Sequence, residues 1–150
     1  MIINREKFRF GVTDLLILAV SAVFAAGLRA WFGACPVGEN VMTCHWAGEA
    51  EHSLAILLIL LAALHLLLPD PGAKCGLSMA VLGLGVLIAV LPGHVIGLCA
   101  MPGMHCRSLM QPACIGFGTG AAVLAAADII FWFRHHPDLQ KPQEGMSGAR

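Results

Sequence analysis

Four long apolar stretches, separated by short polar segments, dominate the pattern of the chain. Each stretch is about 20 residues long, which lets a helix cross the hydrocarbon core of a bilayer at about 1.5 Å rise per residue. The pattern therefore predicts an all-α integral membrane protein, with spans over residues 11–32, 47–68, 76–96 and 112–133.

The polar segments predict how these spans are connected. Pro69–Gly72 is a cluster of helix breakers that ends the second span, and Pro92 should kink the third. Four helices with short connections favour an antiparallel up-down bundle, so the whole chain, 1–150, is expected to form a single domain. The segment 135–150 is rich in proline, glutamine and glycine and is predicted to be a disordered tail.

Composition and charge narrow the class of partner. Hydrophobic residues make up 58% of the chain and charged residues 12%, with a mean hydropathy of +0.80, which a soluble globular protein does not have. The formal net charge is zero and no basic run is present, so nucleic acid is not expected as a partner. The expected partner is the lipid bilayer.

The distribution of lysine and arginine predicts an orientation. By the positive-inside rule both termini of this multi-pass membrane protein are cytoplasmic. The connections at 35–46 and 97–114 then lie outside the cytoplasm. Only Arg29 and Arg107 fall towards that outer side, whereas the inner side carries Arg5, Lys7, Arg9, Lys74, Arg134, Lys141 and Arg150.

These two outer segments concentrate sulfur and imidazole side chains. Methionine is not a turn-forming residue, and thioether and thiolate together select soft ions, above all Cu(I). The two segments therefore predict one extracytoplasmic site for Cu(I) or another soft metal ion. A zinc knuckle is poorly matched because the C-x₂-C spacing is missing. The candidate ligands are Cys35, Met42, Cys44, His45, Cys99, Met104 and Cys106.

Two other interpretations of the same cysteines stay open. Structural disulfides, most simply Cys35–Cys44 and Cys99–Cys106, would persist in an oxidising compartment and staple each loop. Alternatively, Cys35, Cys44, Cys99 and Cys106 could be catalytic in thiol–disulfide exchange, with quinone as the cofactor. The layout is similar to that of the four-helix quinone-linked disulfide-forming membrane proteins, but C-x-x-C is missing here.

Histidines offer two weaker possibilities. His45, Glu49 and His52 would share one helix face and could hold a divalent metal, although an amphipathic helix start is the favoured explanation of the trio. Haem is disfavoured because His52 and His65, 13 positions apart, would project about 220° apart around one helix. His65 is instead interpreted as an interfacial histidine near the inner end of its span.

Small and acidic residues inside the spans have ordinary explanations. Small residues on one helix face, Gly116 and Gly120 in the fourth span and Gly76, Ala80 and Gly83 in the third, predict close packing between helices of the bundle rather than a subunit interface. Asp128 is expected to be a paired or snorkelling carboxylate rather than a proton relay.

The chain resembles a small bacterial four-helix membrane family that is catalogued as a domain of unknown function, the 4418 family. The resemblance covers Phe10–Phe133, and it implies no established activity. It implies that the family's signature positions are Cys35, Cys44, His45, Cys99 and Cys106. The motifs that carry it are Cys35, Met42-Thr-Cys-His-Trp46, Pro92, Ile96-Gly-Leu-Cys99, Cys106-Arg-Ser-Leu109 and Pro112-Ala113.

Three functions follow from these alternatives. The sequence favours a non-enzymatic membrane subunit that binds a soft metal and serves metal handling or a transporter assembly, with other membrane subunits such as a permease as partners. The second is the thiol–disulfide redox protein, and the third is a structural subunit with disulfide-stapled outer loops.

Overall fold

The computed structural model describes residues 5–35, 42–68, 70–99 and 103–135, apart from the side chains of 5–13, 71 and 135. Within these ranges the chain forms helices and turns and no strand. The predicted tail beyond His135 and the tips of both cysteine segments, including Met101, lie outside the described residues. The helices are α1 (Arg5–Ala30), α2 (Thr43–Leu67), α3 (Pro71–Val90) and α4 (Gln111–His135).

The helix ends follow from local chemistry. Asp70 caps α3, its Oδ2 accepting a hydrogen bond from the Ala73 N–H at 3.0 Å, and Pro71 occupies the first helical position, where its missing N–H costs nothing. All four helices begin earlier than the predicted spans. α2 begins at Thr43, and a π-helical turn, Cys106–Met110, precedes α4.

The predicted kink in the third span is confirmed. α3 ends at Val90 and is followed by a turn, Leu91–Val95, in which the backbone leaves the helical conformation at Pro92, with ψ 118°, and at Gly93, with φ +91°. Proline cannot donate to the preceding turn, and a left-handed conformation at Gly93 is one that only glycine adopts without strain. The chain therefore leaves the helix at Pro92, seven residues before Cys99.

Three of the described helical segments are long and apolar enough to cross a membrane: Thr43–Leu67, Gly72–Val95 and Cys106–Arg134. The first predicted span begins at residue 11, and the side chains of 11–13 lie outside the described residues.

The helices pack through a core of small and aliphatic side chains. The buried face of α2 recurs every three or four residues, and α1 and α4 meet at Phe24 and Phe117, whose ring centroids lie 5.1 Å apart. A Cβ added at Gly85 would lie 2.7 Å from the Gly118 carbonyl oxygen, so α3 and α4 touch backbone to backbone. The predicted close packing between helices is confirmed, but the glycines predicted to form the contact are the wrong ones. A Cβ at Gly76, Gly83, Gly116 or Gly120 would meet nothing within 4 Å.

Candidate metal centre

Four cysteines from four different elements meet at one end of the helices. Cys35 follows the end of α1, and Cys44 lies in the first turn of α2. Cys99 follows the turn that ends the third helix, and Cys106 begins the π-helical turn before α4. Each cysteine lies at or near the end of a different helix, so the distances between the cysteines along the sequence do not indicate that they meet.

The four Sγ atoms lie within 4.8 Å of one another, close enough to hold one metal ion. A tetrahedral four-thiolate site with metal–sulfur bonds of about 2.3 Å has sulfur–sulfur separations of about 3.8 Å. Cys99 Sγ and Cys44 Sγ lie 3.4 Å apart. All six cysteines of the chain lie in the described residues and carry free thiols. Small side-chain rotations would convert this arrangement into a coordination site.

The cluster is partly shielded from solvent. Cys44 and Cys106 are buried, with 1% and 0% of their surface exposed, while Cys35 and Cys99 are half-buried. Two ligands therefore face the helices and two face the outside, so an ion could enter from the side of the loops.

The turn at Pro92 positions Cys99. The Ile96 N–H donates to the Leu91 carbonyl at 3.0 Å and the Gly93 N–H to the Ile96 carbonyl at 2.9 Å, which closes the chain into a compact loop. The Gln111 amide donates to the Pro92 carbonyl at 3.5 Å and joins this loop to the start of α4. These contacts fix Cys99 relative to Cys106.

A second set of contacts positions Cys106. His105 Nε2 donates to the Trp31 carbonyl at 3.0 Å and ties the loop to the end of α1. The Met104 carbonyl accepts from the Arg107 and Ser108 N–H groups, both at 3.0 Å, and starts the π-helical turn. The sequence indicates no role for His105. It lies beside Cys106, but only the fold shows that it contacts α1.

The neighbouring thiols also affect ionisation. The pKa of Cys99 lies above its usual value: the hydrogen bond with Cys44 lowers it, but the hydrogen bond with Cys106, desolvation, and the negative charge of Cys106 and Cys35 together outweigh that effect. Cys99 is therefore a neutral thiol at pH 7 in the absence of a cation. A bound metal ion would supply the positive charge that this group of sulfurs lacks.

The other predicted ligands lie around the cluster. Met42 is 49% exposed and lines a cleft of about 280 Å³ together with Cys44 and Cys99. Met104 is half-buried in the turn before Cys106. His45 is half-buried, contacts Trp46 edge-on at 5.8 Å, and is not among the mutually close ligand atoms.

The trio of His45, Glu49 and His52 lines a second cleft, of about 230 Å³, which Cys35 also borders. The helix does begin early enough to place the three on one face, as the divalent-metal hypothesis requires. Glu49 forms an exposed ion pair with Arg29 at 3.7 Å. Among the described histidine, cysteine and carboxylate side chains, the four cysteines form the group that could hold a metal ion.

A group of polar side chains at the other end of the helices was not predicted as a unit. Asp14, His65, Ser78 and Asp128 are all buried. Only 3% of the surface of His65 is exposed, so its side chain packs among the helices, while its position near the inner membrane surface stays a prediction. The expectation that Asp128 is paired is right, because Ser78 Oγ donates to its Oδ2 at 2.7 Å.

Neither a curated protein nor a solved structure matches the chain. One family does match it, by a sequence profile that covers residues 16–131, more than half of the chain. The chain therefore belongs to the family described as domain of unknown function DUF4418, as the cysteine and histidine motifs of the sequence predict.

Proposed function

We propose that the protein is an antiparallel four-helix transmembrane bundle of the bacterial inner membrane, with both termini in the cytoplasm and the cysteine cluster outside. The meeting of Cys35, Cys44, Cys99 and Cys106, from alternate ends of successive helices, supports the antiparallel arrangement. The excess of lysine and arginine on the opposite side supports the orientation.

Reporter fusions test this orientation. Fusions after Gly38 and Gly103 should report the extracytoplasmic side, and a fusion after Gly72 the cytoplasm, because seven of the nine Lys and Arg residues fall on the Gly72 side. Alkaline phosphatase and a fluorescent protein fused at the same positions give complementary signals. A cytoplasmic signal at Gly103 would contradict both the orientation and the external position of the cluster.

The cluster itself, when reduced, binds one soft metal ion. The observation that carries this proposal is the mutual proximity of four Sγ atoms within 4.8 Å. The absence of C-x₂-C spacing argues against a zinc knuckle. It does not argue against a four-thiolate site whose ligands lie near the ends of four different helices. Thiolates also suit Zn(II), so geometry alone does not select the ion.

Cu(I) is the ion that this donor set favours. Met42 borders the cleft at Cys44 and Cys99, and Met104 and His45 lie one or two positions from a cysteine of the cluster. Thioethers add affinity for Cu(I) and little for Zn(II), so these side chains would assist in capture or exchange. This chemistry fits a non-enzymatic subunit in metal handling or in a transporter assembly with a permease.

Anaerobic titration of the reduced, full-length protein with Cu(I) against a competing chelator tests the proposal. The wild type should take up one ion per cluster, and Cu(I) should displace Zn(II). The Cys44→Ser/Cys99→Ser variant should bind at least roughly a hundredfold more weakly, since loss even of outer-shell partners costs 10–100-fold.

Cys75→Ser is the matched control. Cys75 is half-buried near the start of α3, far from the cluster, so its loss should leave the titration unchanged. Equal, weak uptake by the wild type and the double variant would refute metal binding by the cluster.

Thiol–disulfide exchange is the second candidate function, and one contact favours it. Cys44 and Cys99, whose sulfurs lie 3.4 Å apart, belong to different loops. This contact joins the two loops, so it is neither of the within-loop pairs expected for stapled loops. Oxidation of these two thiols would give one disulfide and release two protons and two electrons to an acceptor such as quinone.

Limited oxidation of the metal-free protein with diamide should join Cys44 to Cys99 before any other pair forms. The short separation between the two sulfurs is the reason, because thiolate attack requires access to the partner sulfur. Peptide mapping by mass spectrometry identifies the bond. A first disulfide within either loop would count against this pairing and for stapled loops, and quinone-dependent dithiol oxidation would support an enzyme.

A further inference from the structure

The buried polar group at the other end of the helices draws one residue or more from each helix. Asp14 comes from α1, His65 from α2, Ser78 and Lys74 from α3, and Asp128 from α4. The side chains of Asp14, His65 and Asp128 are no more than 5% exposed, and that of Lys74 is 19% exposed. Such groups are rare inside membrane spans and commonly mark functional sites.

Hydrogen-bonding distances connect these groups in a chain. His65 Nδ1 lies 2.9 Å from Asp14 Oδ1, and His65 Nε2 lies 3.0 Å from Ser78 Oγ. Ser78 Oγ lies 2.7 Å from Asp128 Oδ2. At the near end of the chain, Lys74 Nζ donates to Asp14 Oδ2 at 3.3 Å.

The side chains in their usual protonation states supply too few donor hydrogens for all of these hydrogen-bonding contacts. The three contacts from Asp14 through His65 and Ser78 to Asp128 each need one hydrogen. A neutral imidazole supplies one and a serine hydroxyl supplies one, so one contact lacks a donor. With the imidazole proton on Nε2, His65 Nδ1 and Asp14 Oδ1 would be two buried acceptors facing each other at 2.9 Å.

No reorientation of Ser78 removes this shortage. If its hydroxyl donates to His65 Nε2, the 2.7 Å contact with Asp128 has no hydrogen. If it donates to the Lys74 carbonyl, which is 3.1 Å away, the shortage increases. An additional proton on His65, Asp14 or Asp128 satisfies the network, because buried polar groups are as a rule hydrogen-bonded.

The net charge of the buried side chains independently indicates one bound proton. Two ionised carboxylates and the Lys74 ammonium leave the group at −1, and one bound proton makes it neutral. A net charge in a site of this burial is costly, so neutrality is the favoured state.

A metal ion does not fit the same residues as well as a proton does. Asp14 and Asp128 approach opposite nitrogens of the His65 ring, at 2.9 and 3.6 Å. One ion bound to a single imidazole nitrogen therefore cannot also bind both carboxylates. Lys74 beside Asp14 would in addition repel a cation.

We propose that Asp14, His65, Ser78 and Asp128 form a proton-binding site that holds one exchangeable proton and joins all four helices. The proton is exchanged with water at the partly exposed Lys74, and its loss changes the charge of the site from 0 to −1. The site lies far from the cysteines, because the 21 residues from Cys44 to His65 correspond to about 31 Å of helix. It does not depend on metal binding.

NMR on the reduced wild-type protein in lipid nanodiscs tests this site, with ¹⁵N-labelled histidine rings and ¹³C-labelled aspartate carboxyls. At about pH 7.5 exposed histidine is neutral and exposed aspartate is ionised. We expect one protonated group beyond that pattern, either a histidine with hydrogen on both nitrogens or a neutral aspartic acid. Finding every histidine singly protonated and every aspartate ionised at this pH overturns the proposal.

Variants assign the signal. His65→Gln, Asp14→Asn and Asp128→Asn should each remove it or move it to another member of the site. Asp70→Asn is the matched control, because this exposed carboxylate caps α3 and belongs to no buried network. A signal that all three site variants leave unmoved contradicts the proposal. Should a variant fail to fold, the count of protonated groups in the wild type still decides the question.

Discussion

Lowering the pH by one unit, from about 7 to about 6, should weaken Cu(I) binding at the cluster by up to roughly ten-thousandfold. A thiol must lose its proton to become a ligand, and each proton that is released contributes about a factor of ten per pH unit. Raised above its usual value, the pKa of Cys99 keeps this thiol protonated, so its proton still competes with the metal above neutral pH. Affinity therefore rises as the pH increases. Anaerobic chelator competition at a series of pH values measures the slope of log affinity against pH.

The slope of log affinity against pH should equal the number of protons that the thiol ligands release when the metal binds. A Cys99→Ser variant should lose about one from the slope, since the thiol whose pKa is raised then has no proton to release on metal binding. Cys75→Ser, which changes a cysteine outside the cluster, should leave it unchanged. A slope near two for the wild type would show that only two cysteines bind the ion and would contradict the four-thiolate proposal.

The sequence predicted the meeting of the two cysteine segments for a physical reason. Apolar stretches of membrane length restrict the connections to two sides, and helices of similar length return alternate connections to the same side. Cys35 and Cys99 could therefore be placed together without knowing any packing detail. The contact between Cys44 and Cys99 could not be predicted, because it depends on the turn at Pro92 and on how far α2 extends.

Rotation of each helix about its axis was the missing quantity. When most faces of a helix are apolar, the sequence pattern does not say which face meets a neighbour. For this reason the predicted contact glycines, such as Gly116, turned out to face open space, whereas Gly118 two positions later contacts α3. For the same reason the sequence did not indicate that His65 is buried among the helices.

The contact between Gly85 and Gly118 should be the most sensitive point of the helix packing. An alanine Cβ at Gly85 would lie 2.7 Å from the Gly118 carbonyl oxygen and 2.9 Å from the Ala122 nitrogen, and one at Gly118 would lie 2.6 Å from the Gly85 carbonyl oxygen. These are backbone atoms, which cannot rotate away as a side chain can. Overpacking of this kind costs typically about 1–3 kcal/mol.

Gly85→Ala and Gly118→Ala should therefore each lower the free energy of unfolding and weaken metal binding, because α3 leads to Cys99 and α4 follows Cys106. Gly83→Ala and Gly116→Ala are matched controls on the same helices. An added Cβ meets nothing within 4 Å at either control position, so better helix propensity should stabilise these variants by about 0.5–1 kcal/mol. Thermal unfolding in one detergent, followed by circular dichroism, compares the four variants. Equal stability of Gly85→Ala and Gly83→Ala would contradict direct backbone contact between α3 and α4.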